Sequence, residues 1–152
     1  MKKTSKRLNT ALIEAAKKAA SKAYAPYSKF QVGAALLGAN GKIYTGANLE
    51  NVSYGLTVCA ERNAIAAMVH DGVSEWTQLV VFTSTPKPTA PCGTCRQVLY
   101  EFSPEGLGQV WLACSNAKTQ KKLSQPNTLI SKPFSLKTLL PHAFVSFIID
   151  QA

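Results

Sequence analysis

The stretch Cys59-Ala60-Glu61-Arg62-Asn63-Ala64-Ile65 decides how this chain is read, because it sets a thiol, a carboxyl and a guanidinium within four positions at the expected start of a helix. That helix is predicted over about residues 58–70, ending before Gly72. Partial positive charge at a helix N-terminus favours a thiolate at Cys59 and disfavours Arg62. An arginine placed there calls for a nearby anion, and a cluster of metal-bound thiolates would be one. The nearest source of further thiols is Pro91-Cys92-Gly93-Thr94-Cys95, with its two cysteines three residues apart.

Working outward, Leu8, Leu12, Ala15, Ala16, Ala19 and Ala23 recur at helical spacing and predict an amphipathic helix over 8–24, stopped by Pro26. Residues 30–37 and 42–48 read as two strands joined at Asn40-Gly41, a strong two-residue hairpin signal. On the other side of the central helix, residues 79–83 read as a buried strand, and Pro86, Pro88 and Pro91 mark a loop. A helix over about 92–102 and a strand at 110–114 follow. Residues 115–133 are polar and read as a loop or weak hairpin, and Ser135 can cap a short helix that Pro141 ends. The apolar tail 144–149 fits helix or strand equally. One helix, two antiparallel strands, then helix and strand twice suggest an α/β layered domain, mostly one sheet covered by helices.

The 152 residues fit one domain spanning 1–152, with about 1–7 as a basic N-terminal extension. A hydrophobic fraction of 46% and a charged fraction of 16% fit a globular chain and argue against disorder. No apolar run approaches membrane-spanning length, and the basic N-terminus lacks a signal-peptide core, so a cytoplasmic protein without a membrane partner is expected. In a reducing compartment, four cysteines point to metal, redox or core roles rather than disulfides. Cys114, within an apolar run, reads as core. The net charge of +9 raises the question of nucleic acid. Its sources at Lys2, Lys3, Lys6, Arg7, Lys17, Lys18 and Lys22, and at Lys118, Lys121 and Lys122, are not interleaved with stacking aromatics. They read as solvated surface, and no nucleic-acid partner is expected.

A lone CxxC serves zinc sites and thioredoxin-like redox centres about equally well. Cys59 tips the balance, since redox exchange needs two thiols and zinc needs three or four ligands. Three protein ligands leave a position for water, as in a catalytic site. His70, at the far end of its helix, and the remote His142 read as surface or core residues. Three thiolates on a divalent cation leave a net negative site, which opposes ionisation of bound water. Two helix N-termini and Arg62, hydrogen-bonded to ligand sulfurs, would compensate. Glu61 could then accept the water's proton. Taken alone, Glu61 would pass for an ordinary first-turn acid.

CAE followed by PCGTC matches the zinc-deaminase signature, in which the glutamate is general acid/base and not a ligand. The chain resembles the small three-cysteine cytidine deaminases in five blocks: AYAPYSKFQVGAAL at 23–36, GANLENVSYGL at 46–56, CAERNAI at 59–65, PCGTCRQVL at 91–99 and LLPHAF at 139–144. The resemblance implies a three-layer α/β/α fold with one mixed central sheet covered by helices. It implies zinc-dependent hydrolysis of cytidine and 2′-deoxycytidine to uridine and 2′-deoxyuridine plus ammonia, in pyrimidine salvage. Cys59, Cys92 and Cys95 would bind one zinc ion, whose hydroxide attacks carbon 4 of the ring while Glu61 shuttles protons. Asn48 and Glu50 would hold ribose hydroxyls, a suitable task for an amide and a strong acceptor.

By the same resemblance, Phe30 and Phe144 would pack around the pyrimidine, though from their residue type alone they fit ordinary core equally well. Ala60 would offer its backbone N–H to the base. Arg62 and Gln97 would support the zinc and its thiolates, and Tyr54 would reach a neighbouring subunit's site in a homotetramer. The basic N-terminus and residues 114–132 match no motif of the family. Rival readings are a deaminase of another aminopyrimidine such as blasticidin S, a polynucleotide-editing deaminase, and a binding module with a structural zinc.

Overall fold

In the computed structural model, which describes residues 7–115 and 128–145, alternation along the strands sorts the side chains into layers. The elements run α1 (Ala11–Ala20), β1 (Val32–Gly38), β2 (Ile43–Ala47), α2 (Ala60–His70), β3 (Trp76–Thr83), α3 (Gly93–Glu101), β4 (Gln109–Ser115), β5 (Thr128–Ile130), β6 (Phe134–Ser135) and α4 (Leu136–Leu139). The sheet order is β2-β1-β3-β4-β5, with β6 also paired to β4. β3 and β4 are parallel, joined through α3, and the other pairings are antiparallel. The sheet is therefore mixed, as expected.

Successive strand residues point to opposite faces. Leu36, Leu79, Val81 and Leu112 pack with Ala64, Met68, Leu99 and Leu136 from α2, α3 and α4. Their neighbours Ala35, Val80, Phe82 and Trp111 pack with Leu12, Ala16 and Ala20 of α1. The result is the expected three-layer α/β/α arrangement. Two glycines permit close approach of helix to sheet. A Cβ at Gly33 would collide with Ala16 O and Ala20 N of α1, and one at Gly46 with Ala60 O and Ala64 N of α2.

The hairpin turns where predicted, with Gly41 at φ +82° and Gly38 N–H donating to Lys42 O at 2.9 Å. α1 is shorter than its apolar spacing predicts. Beyond Ala20 the chain is drawn into extended pairing, with Tyr24 N donating to Asn48 O and Glu50 N to Tyr24 O, and these bonds compete with further helix. β3 starts earlier than predicted, because Trp76 is buried and its indole N–H donates to Leu99 O at 3.0 Å. β5 and β6 add short edge strands where a loop or weak hairpin and then a helix cap were read. Ser135 caps α4 as predicted, accepting from Thr138 N at 3.1 Å. Cys114 is buried on β4. Most of the basic extension, Lys118, Lys121, Lys122 and the tail after Val145 lie outside the described residues. No helix among the described residues is long and apolar enough to cross a membrane.

Candidate active site

Cys59 and Cys92 occupy the N-cap positions of α2 and α3, both with extended backbone. Their sulfurs lie 3.9 Å apart. The sulfur of Cys95, one turn into α3, completes a cluster whose three Sγ atoms all lie within 4.8 Å of one another. All three are free cysteines. Sulfurs arranged tetrahedrally at about 2.3 Å from a zinc ion would stand roughly 3.8 Å apart, so the set fits such an ion. Hydrogen bonds from Cys95 and Cys92, with the nearby Arg62 charge, pull the Cys59 thiol down to about 5, while Cys95 is pushed up. Both helix N-termini direct partial positive charge at the cluster, which favours thiolate there.

Arg62 donates from Nη2 to Thr57 O at 2.8 Å, a partner the sequence did not suggest, and its charge bears on Cys59. Its buried Nε has no hydrogen-bond partner. Such an orphaned donor beside thiols suits a site completed by an ion that keeps the sulfurs anionic. Glu61 is 4% exposed, and burial, aided by the Cys59 charge, raises its carboxyl above the usual range. A buried carboxyl beside the sulfurs, held above its usual range, is placed to exchange a proton with a group in the cavity.

Glu61, Cys59 and Cys92 line a cavity of about 350 Å³, together with Phe30, Asn48, Glu50 and Ala60. Ala60 is the first residue of α2, where a helix leaves backbone N–H groups without intrahelical partners. Asn48 is buried and fixed at both ends of its amide: Oδ1 accepts from Val32 N at 2.8 Å, and Nδ2 donates to Phe30 O at 2.9 Å. Glu50 accepts from Tyr27 N, Ser28 N and the Ser28 hydroxyl, and it borders both this cavity and an adjoining one lined by Tyr27, Asn51 and Tyr54.

Three further predicted residues do not line this cavity. Tyr54 is 78% exposed, with its ring edge-on to Tyr27 at 6.4 Å. Phe144 is 63% exposed and does not line the cavity formed by the described residues. Gln97 donates to Phe144 O at 2.8 Å and accepts from Phe144 N at 3.2 Å, so it holds the C-terminal segment rather than a thiolate. Sequence reasoning passed over Ser28, Thr57, Thr89 and Ala90, which also line the cavity. Thr89 and Ala90 directly precede the PCxxC segment, a signal that could have found them. Arg96 was missed too; it donates to Pro91 O at 2.8 Å and to Leu139 O at 3.1 Å, tying the cysteine loop to α4.

Residues 6–108 match the family model described as the cytidine and deoxycytidylate deaminase zinc-binding region. The chain belongs to this family. Among similar deaminases, one from Sporosarcina psychrophila, named cytidine deaminase, is 54% identical over 91 residues, covering 60% of this chain and 67% of the relative. A Dictyostelium discoideum protein named probable cytidine deaminase is 39% identical over 132 residues, covering 86% of each chain. The crystal structure of cytidine deaminase from Burkholderia pseudomallei superposes with a TM-score of 0.74 at 41% identity, covering 91% of this chain and all of that one. Deaminase membership thus accords with both the sulfur cluster and the layered fold.

Proposed function

We propose that this chain is a cytidine deaminase that hydrolyses cytidine and 2′-deoxycytidine to uridine and 2′-deoxyuridine with release of ammonia, serving pyrimidine salvage in the cytoplasm. The observation that carries the reading is the buried Glu61 beside a three-sulfur cluster in the wall of a nucleoside-sized cavity. Cys59, Cys92 and Cys95 would hold one zinc ion, which when bound supplies Lewis acidity and makes water a nucleophile at neutral pH. Glu61 takes a proton from the attacking water, delivers it to ring nitrogen 3, and later passes one to the departing amine. Its burial keeps this carboxyl away from bulk water, so its proton goes to the substrate.

The Ala60 N–H, at the positive end of α2, meets the base, and Phe30 gives the ring an apolar wall. Asn48 and Glu50 meet the sugar hydroxyls. Both retain capacity beyond the bonds already described, since an amide offers two hydrogens and two lone pairs and a carboxylate about four acceptor sites. Arg62 keeps the thiolates anionic. We further assign the whole chain to one deaminase domain that assembles as a homotetramer, with the exposed Tyr54 facing a neighbour's site and Phe144 closing over the ring.

The test is to load purified protein with zinc, quantify the metal, and follow cytidine by its ultraviolet absorbance change. Conversion to uridine supports the reading. A folded, zinc-loaded protein that left cytidine and deoxycytidine unchanged would overturn it.

A further inference from the structure

The loop between α1 and β1 is held in a constrained conformation at Lys29. Lys29 adopts φ +57°, a left-handed conformation that non-glycine residues rarely take unless their surroundings impose it. Here the surroundings are Glu50 and Asn48. Glu50 Oε2 accepts from Tyr27 N at 2.9 Å and Ser28 N at 3.2 Å on one side of Lys29. Asn48 holds Phe30 O and Val32 N on the other. Between them stands the Ser28 hydroxyl, which donates to Glu50 Oε1 and accepts from Phe30 N at 3.0 Å.

We propose that Ser28 is a positioning residue for sugar recognition, its hydroxyl locking the Glu50 carboxylate in its orientation in the cavity lining while holding the backbone N–H of Phe30, another lining residue. This inference rests on the reading that Glu50 meets the sugar. The backbone donors both fall on Oε2, and among the described residues the Ser28 hydroxyl is the donor to the other oxygen, so it fixes the rotation of the carboxylate plane. The same hydroxyl is the largest cause holding the Glu50 carboxyl below its usual range, which keeps it an acceptor. Ser28 also lines the cavity and is exposed, so its removal opens no void in the core. A residue that only closed a turn would matter equally for every substrate. One that aims Glu50 matters most for substrates whose sugar reaches Glu50.

The experiment compares wild type, Ser28→Ala and Ser28→Thr on cytidine and on 2′,3′-dideoxycytidine, which lacks the 2′ and 3′ hydroxyls and keeps the 5′ hydroxyl. Ser28→Ala is expected to raise KM for cytidine about tenfold with kcat within about twofold, as for loss of a binding interaction present in ground and transition states alike. The preference of wild type for cytidine over the dideoxy analogue should narrow by about the same factor, and Ser28→Thr should restore most of it. If Ser28→Ala left that preference unchanged in an enzyme whose wild type turns over cytidine, the positioning role would be overturned and the functional reading would stand. Absence of turnover in zinc-loaded wild type would overturn both.

Discussion

Cys59 and Cys92 lie 33 positions apart in the chain, yet each caps a helix and their sulfurs come within 3.9 Å. Two helix N-termini therefore converge on one group of thiols. Their partial charges favour anionic sulfur there before any ion is present. The site is built by helix placement.

Glu61→Gln keeps the shape and burial of the side chain but cannot accept a proton. Zinc content should stay at that of wild type, while kcat falls by about a hundredfold to ten-thousandfold. Metal quantification beside the absorbance assay reads both. Near-normal turnover would remove Glu61 from the proton path.

Arg62→Ala removes the charge that bears on Cys59 and the bond to Thr57 O. Zinc affinity should weaken by about ten- to a hundredfold, as for other groups that support metal ligands. Competition with a chromophoric chelator measures this directly. Unchanged retention of the ion would show that the helix termini suffice.

Gly46→Ala and Gly33→Ala form a matched pair, because each new methyl would strike helix backbone, of α2 and α1 respectively. Each should cost about 1–3 kcal/mol of stability through overpacking. Only Gly46→Ala should also loosen zinc binding, since it pushes against the turn that carries Glu61 and follows Cys59. Denaturant unfolding and the chelator assay separate the two effects.

Asp71 ends α2, accepting from Tyr44 Oη at 2.6 Å and Lys42 Nζ at 2.9 Å, and these bonds hold its carboxyl below the ordinary 3.8. A carboxyl depressed in the folded state stabilises the fold above its unfolded value, and that contribution is lost as pH falls through the folded value. Asp71→Asn should therefore lower Tm at pH 7, and the gap to wild type should close as the pH drops below about 4. A gap independent of pH would mean that the carboxylate charge plays no part.

Much of this was legible in the chain itself. The period-2 and helical patterns, the Asn40-Gly41 turn and the three cysteines led to a layered sheet with a thiol cluster where two helices begin. The missed parts depend on long-range competition. Pairing of Tyr24 with residues 48–50 cut short a helix that local spacing favoured, and burial of Trp76 extended a strand through polar neighbours. The family resemblance sets Gln97 beside the thiolates, and in this fold its side chain reaches the backbone of Phe144. Sequence distance from a ligand does not fix which way a helical side chain points.

Val80 and Val81 are covalent neighbours on β3, yet Val80 packs in the α1 layer while Val81 lines the cavity. The sheet thus acts as a bulkhead between two compartments of the molecule. Changes among Leu12, Ala16, Val80 and Trp111 can tune how firmly the protein holds together without redrawing the cavity that Glu61 and the sulfurs line. An engineer seeking a hardier catalyst would work from that far compartment, with durability and selectivity adjustable on separate faces of the same strand.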